Sequence, residues 1–345
     1  MIPNTSSDNS IPEKKSSAKF LWIAILIVAV VLIILFFFKN QLWQPATTPP
    51  AVVEKDSLPT ANAPMVEDTV GVFSKFIVPH DVRIKDYFTF IDSVSRSFDS
   101  ILPYKLTEYI LVRNNPFIID TLENTDYYRR KLRDTIIYDQ KELVILKRGD
   151  VLKIPTLAVA DTIKAKLART RLDINIPEFK LRIIEGGDTV YSFPIRVGQN
   201  RTRFLSEVGR EVSLKTRTGS GFIVHSYKKD YFVDPLEGKK FTSTKRDDST
   251  MTLMPLQPWL EPKMEGQFWG QLIHPTTNET SLGKPFSNGC MGTREADIWR
   301  IYYYAPVGTK VKVRYDLTIK NDSGEMVRLK DIYNPKNMKY DKKIE

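Results

Sequence analysis

The stretch that most restricts this chain lies near its N-terminus. Phe20 to Phe38 reads FLWIAILIVAVVLIILFFF, nineteen residues without a charge or a strongly polar group. A helix rises ~1.5 Å per residue, so this segment would span about 28 Å, close to the hydrocarbon thickness of a bilayer. It is long for the apolar part of a cleaved signal peptide, and the following KNQLWQP offers no small-x-small cleavage site. A buried globular helix would carry a polar face, and this segment has none. The expectation is a retained transmembrane helix over 20–38. Lys14, Lys15 and Lys19 precede it and only Lys39 follows closely. The positive-inside bias then puts a cytoplasmic tail at 1–19 and the rest of the chain outside.

Residues 39–71 are rich in proline and small residues and lack apolar periodicity. Such a segment buries too little surface to fold and is stiffened by proline, so it reads as a linker holding the remainder away from the membrane. The remainder has an ordinary composition for a folded protein, with 42% hydrophobic and 11% aromatic residues overall. A net charge of +10 is spread through mixed stretches such as KKFTSTKRDD rather than gathered in a recognition helix. That distribution, on a chain expected outside the cytoplasm, argues against nucleic acid as a partner. The single cysteine, Cys290, excludes an intramolecular disulfide and a cysteine-rich zinc site. His80, His225 and His274 are too scattered to suggest a metal cluster, and no ligand spacing marks a site built from carboxylates.

Residues 72–166 read as a small α+β region. The segment IKDYFTFIDSVSRSFDSIL spaces its apolar residues at three and four, the pattern of an amphipathic helix. LTEYILVRNNPFIID is broken by Asn-Asn-Pro and suggests strand, turn, then strand or helix. LVILKRGDVLKIP reads as strand–turn–strand about Gly149-Asp150. From 167 to 318 the pattern becomes β: Leu172, Ile174 and Ile176 alternate, and Glu185-Gly186-Gly187-Asp188 offers a hairpin turn. A helix is expected at ADIWRIYYYA, and residues 319–345 are left as a C-terminal tail.

The chemistry is concentrated between Trp269 and Val313. His274 ends an apolar run, and a tight Ser-Asn-Gly turn presents Cys290 sixteen residues later. A thiolate is the reactive form of cysteine, so a base or cation must come near it, and a loop must fold back to bring His274 there. A lone cysteine is more often a small buried hydrophobe, and a histidine at a strand end often makes only an ordinary hydrogen bond. The residues alone leave both readings open.

Taken together, His274, Gly283, Ser287, Gly289 and Cys290 resemble, in order and spacing, the signature of L,D-transpeptidases with a YkuD-type catalytic domain: Ile-His, a loop, a glycine, then Ser-x-Gly-Cys. Asp297 and the Pro306–Val311 run fit the helix and final strand that follow in that family. FPIRVGQN, Phe193 to Asn200, fits its Pro-x-x-x-Gly strand. The resemblance covers about 170–315. It implies a YkuD-like β-sandwich with a short helix and a reaction that needs no metal or organic cofactor. With the expected anchor, that domain would belong to the bacterial cytoplasmic (inner) membrane and face the periplasmic or extracytoplasmic side. It further implies Cys290 as nucleophile and His274 as its base, with Ser287 orienting the histidine or lining the oxyanion site and Gly289 letting backbone N–H groups reach the oxyanion. The implied partners are peptidoglycan stem peptides, and the implied reaction is 3→3 cross-linking through a thioester. A carboxypeptidase or hydrolase, and a silent wall-binding scaffold, are the alternatives.

The sequence departs from the family's pattern at three positions. Pro275 follows the histidine where glycine is common, and Asn288 stands where histidine is frequent. Gly292 occupies the place of an arginine usually found two residues after the cysteine, which makes Arg294 the nearest replacement. Asn288 and Arg294 are therefore the candidate substrate-binding residues. Residues 229–260 read as an insertion over the site. A dozen residues ending at Pro155 also resemble the tail of a LysM-type wall-binding module, although the region as a whole reads as a generic α+β domain.

Overall fold

The computed structural model describes residues 74–340, apart from 207, 208, 235, 236, 322 and 338. The expected transmembrane segment, cytoplasmic tail and linker all lie outside the described residues. Among the described residues no helix is long and apolar enough to cross a membrane.

The described part is mostly β, with a few helices. One long sheet runs in the order Met291–Thr293, Ile273–Pro275, Gln257–Met264, Gly219–Lys229, Lys310–Arg314, Thr170–Asn175, Lys180–Glu185, Asp188–Pro194. Two of its neighbour pairs are parallel, Ile273–Pro275 with Met291–Thr293 and Lys310–Arg314 with Thr170–Asn175. The first of these brings the histidine strand beside the strand that follows the cysteine. The hairpin expected at Glu185–Asp188 is present, with Gly186 at φ +68° supplying the left-handed turn conformation.

The helix expected after the cysteine runs from Glu295 to Tyr304, and it is buried on nearly every side. It packs on the Gln257–Met264 strand with one face and on the helices Glu108–Asn114 and Phe117–Glu123 with another. That double contact explains why Trp299, Tyr302 and Tyr303 are all fully covered. The phenol groups find partners: Tyr87 and Tyr303 hydroxyls lie 2.6 Å apart, and Tyr302 donates to Glu108. Residues 75–168 thus share one continuous apolar core with the sheet, running from Phe76 through Leu111 and Ile174 to Trp299.

Two local readings are corrected. The first part of the Leu106–Asp120 segment is a helix, Glu108–Asn114, rather than the expected strand, and of the two readings for the second part the helix, Phe117–Glu123, is the one found. Thr107 caps the first through its hydroxyl, which accepts from the Ile110 N–H, and Pro116 begins the second. The run Ile110-Leu111-Val112 looked strand-like because a helix covered on several sides has no polar stripe. Val144–Leu146 and Val151–Lys153 do not pair with each other. They pair with Val82–Arg83 and Lys75–Ile77 instead, because distant segments take the hydrogen bonds a local hairpin would have used. The expected C-terminal tail is also partly folded: Lys339–Tyr340 adds in parallel to Arg201–Leu205, and Tyr333 stacks on Tyr315 with ring centroids 5.2 Å apart.

Candidate active site

In the register of the parallel pair, Ile273 lies opposite Met291 and His274 opposite Gly292. Side chains alternate along a strand, so position 290, two before Gly292, falls on the same side of the sheet as His274. Cys290 and His274 accordingly line one cavity of about 410 Å³, together with Ser287, Asn288, Arg196 and Trp269. Cys290 is half-buried, and its sulfur accepts a hydrogen bond from the Leu272 N–H at 3.4 Å. A donor aimed at the sulfur favours negative charge there.

His274 is buried, with 5% of its surface exposed. Its Nδ1 lies 2.8 Å from the Pro275 carbonyl oxygen, and a carbonyl can only accept. Nδ1 therefore carries the proton, leaving Nε2 with a lone pair. Burial first, then the Arg196 charge, pushes the imidazole pKa down to about 3 from 6.5. The ring is neutral at neutral pH, and its Nε2 lone pair can accept a hydrogen bond. Its face is covered by Trp259, with centroids 4.2 Å apart and planes at 8°.

The Ser-Asn-Gly-Cys turn is held from inside. Ser287 Oγ donates to the Cys290 carbonyl oxygen at 2.6 Å and accepts from the Gly289 N–H at 3.2 Å. Thr216 Oγ1 donates to the Gly289 carbonyl oxygen at 2.8 Å and accepts from the Gly198 N–H, also at 2.8 Å. Gly289 sits at φ +114°, and a Cβ there would come within 2.7 Å of Gln271 Nε2. Gly198, the glycine of the Pro-x-x-x-Gly strand, passes so close to Leu214 that a Cβ would lie 2.0 Å from its carbonyl oxygen. The Ser287 hydroxyl thus binds the turn's own backbone while Ser287 lines the cavity, and the Gly289 N–H donates to it.

Arg294 is not in the cavity. It precedes the Glu295–Tyr304 helix and its Nε donates to Glu279 at 2.7 Å, with Asp297 at 3.7 Å. The guanidinium groups that do line the site belong to Arg196, Arg210 and Arg217. The Arg196 N–H donates to the Gly292 carbonyl oxygen at 2.8 Å, and the Gly292 N–H donates back at 3.0 Å. A Cβ on Gly292 would lie 2.6 Å from Arg196 Nε and 2.7 Å from its Cγ. The arginine side chain thus occupies the space that a side chain at 292 would take. Sequence reasoning passed over Arg196, although it stands inside FPIRVGQN. The glycine at 292 was the available signal, since a missing side chain leaves room for another.

The insertion at 229–260 forms a wall rather than a free flap. Phe232 lines the cavity beside Cys290, and Phe241 lines an adjoining cavity of about 310 Å³ on the Pro275 side of His274. Arg246, from the same insertion, is fully buried and pairs with Glu295. Asp247 accepts from Tyr128 at 2.7 Å and from the Thr280 N–H at 2.9 Å. Asn288 lines the main cavity.

Residues 169–313 match the family model of the YkuD L,D-transpeptidase catalytic domain. No curated protein matches the chain. Among solved structures, similar ones include an L,D-transpeptidase from Xylanimonas cellulosilytica, 14% identical over 59% of this chain and 92% of that one, with a TM-score of 0.32. An L,D-transpeptidase from Mycobacterium smegmatis is 16% identical over 42% of this chain and 58% of its own, with a TM-score of 0.28. L,D-transpeptidase 3 from Mycobacterium tuberculosis, in complex with a faropenem-derived adduct, is 14% identical over 42% of this chain and 60% of its own, also at 0.28. The chain therefore spans less than two thirds of the two mycobacterial proteins.

Proposed function

We propose that this chain is a peptidoglycan L,D-transpeptidase that forms 3→3 cross-links between stem peptides through a Cys290 thioester. The observation that carries the reading is the neutral His274, with its Nε2 lone pair, in one cavity with Cys290. His274 takes the thiol proton, and the thiolate attacks the amide carbonyl at the L-centre of the diamino acid in a donor stem. The tetrahedral oxyanion collapses, the C–N bond breaks, and His274 returns the proton to the departing D-alanine amine. A second stem's side-chain amine then attacks the thioester, His274 accepts its proton, and the thiolate leaves. The apolar Phe20–Phe38 segment would tether the enzyme to the cytoplasmic membrane, with residues 39–71 as spacer and the catalytic domain on the extracytoplasmic side.

The test is to incubate the protein with wall fragments and a carbapenem in parallel, following both by mass spectrometry. The expected results are a mass increase localised to Cys290, its loss in C290A, and 3→3 dimers from tetrapeptide stems. Tripeptides without dimers would replace the reading by a carboxypeptidase. No adduct on folded protein that still binds wall material would replace it by a scaffold. Membrane fractionation of the full chain, against one lacking residues 1–43, tests the tether.

A further inference from the structure

We propose that Arg196 is the positioning cation of this active site, reaching from the FPIRVGQN strand into the space Gly292 leaves open and favouring the thiolate of Cys290. The inference rests on the reading of Cys290 as nucleophile. It requires no particular acyl acceptor.

Three independent observations converge on it. The two backbone hydrogen bonds between Arg196 and Gly292, at 2.8 and 3.0 Å, fix where the arginine side chain begins. The space over Gly292 is filled by the arginine's own Cγ, Cδ and Nε, at 2.7, 3.0 and 2.6 Å from where a Cβ would be, so alanine at 292 must displace it. Gly292 has no left-handed backbone that would demand glycine, so close approach is what requires the missing side chain. The third observation is an incomplete set of partners. Arg196 Nη1 donates to Ser281 Oγ at 3.4 Å, yet its buried Nε has no hydrogen-bond partner among the described residues. Nor is a carboxylate among the residues lining the cavity, so the guanidinium charge is left for something that comes and goes. Sulfur as thiolate is the resident anion that answers this description. Attraction to Cys290 opposes the effect of burial on the arginine, and charge attraction is reciprocal.

The same charge acts on His274 in the opposite sense, helping to hold it neutral. One cation thus favours the thiolate, and it also lowers the basicity of the histidine that accepts the thiol proton. The other charged groups lining the cavity are Arg210 and Arg217, on neighbouring segments, and Lys229 also acts on His274. Arg196 is distinguished from these by its bonds to Gly292.

The test is the pH dependence of Cys290 alkylation by iodoacetamide in the full-length protein, which needs no wall substrate. In R196Q the profile is expected to move up by about one pH unit, with roughly tenfold slower alkylation at neutral pH. R196K, which keeps the charge, is expected to stay within about threefold of the parent. G292A is expected to lie between the parent and R196Q, because its methyl displaces the arginine. The double variant R196A/G292R is expected to regain most of what R196A loses, since the two side chains compete for one space. An unchanged profile in R196Q overturns the proposal, and so does equal loss in R196Q and R196K, which would mean a purely structural part. A double variant no better than R196A overturns the exchange of positions. Carbapenem acylation with an unmoved R196Q profile would sink Arg196 and leave the transpeptidase standing; the reverse pattern would do the opposite.

Discussion

Trp259 lies face to face with His274, the ring planes 8° apart and the centroids 4.2 Å apart. The indole does for the imidazole's orientation what its single hydrogen bond to the Pro275 carbonyl cannot do alone: it blocks rotation out of the plane and keeps water from one face. Trp259→Leu would leave the histidine apolar cover without a flat partner. The expected outcome is an activity loss of about tenfold, as for a modest misplacement of a reacting group. The His274 pKa should also move upward from about 3 as water enters. Steady-state kinetics and an NMR titration of the imidazole check it, and an unmoved titration would remove the tryptophan from the account.

The buried Arg246–Glu295 pair joins the insertion to the helix behind the catalytic strands. Both side chains are fully covered, and the network includes Gln140, the Tyr127 N–H and Thr252. Removing one partner leaves a buried charge uncompensated. R246M and E295Q are each expected to cost about 3–5 kcal/mol in urea unfolding, with the double variant costing clearly less than the sum. Additive losses would mean that the charges do not depend on each other.

Acid should weaken the fold through His274. Its folded pKa of about 3 lies below the ordinary 6.5, so the unfolded chain binds the proton more readily. The contribution is fully present above pH 6.5 and lost as pH falls toward 3, at about 1.4 kcal/mol per pH unit while it lasts. Asp297 works against this. Burial pushes its pKa up to about 6, so between its ordinary range and 6 the folded state holds that proton more tightly. Unfolding free energies measured at several pH values should therefore fall less steeply below 6.5 in H274N than in the parent, and more steeply in D297N. Parallel curves for H274N and parent would contradict the buried neutral histidine.

The hydroxyl of Ser287 serves two backbone groups of the cysteine turn. Ser287→Ala leaves the Gly289 N–H and the Cys290 carbonyl without it, a cost of about 1–3 kcal/mol. The expected signature is slower alkylation of Cys290 together with lower thermal stability. Thr216→Val should act in the same direction, because its hydroxyl ties Gly289 to Gly198. A Ser287→Ala protein with unchanged stability and slowed chemistry would instead favour direct contact with substrate.

The residues of the sequence carried much of this. Alternation of Leu172, Ile174 and Ile176 marked a strand because one side of a sheet must be apolar. The resemblance of His274, Gly283, Ser287, Gly289 and Cys290 to a family signature, not their spacing alone, pointed to a site. The apolar run at 20–38 set the expectation of an anchor from length alone, in residues beyond those described. The tertiary structure decided what could not be local. Whether Ile110-Leu111-Val112 is helix or strand depends on how many sides are covered, which the run itself does not encode. Arg294 and Arg196 are equally charged, and only the pairing of strands made one an ion-pair partner of Glu279 and carried the other, 94 residues from Cys290, to the cysteine's side. A glycine states that space exists, but the chain's folded path determines whose side chain fills it.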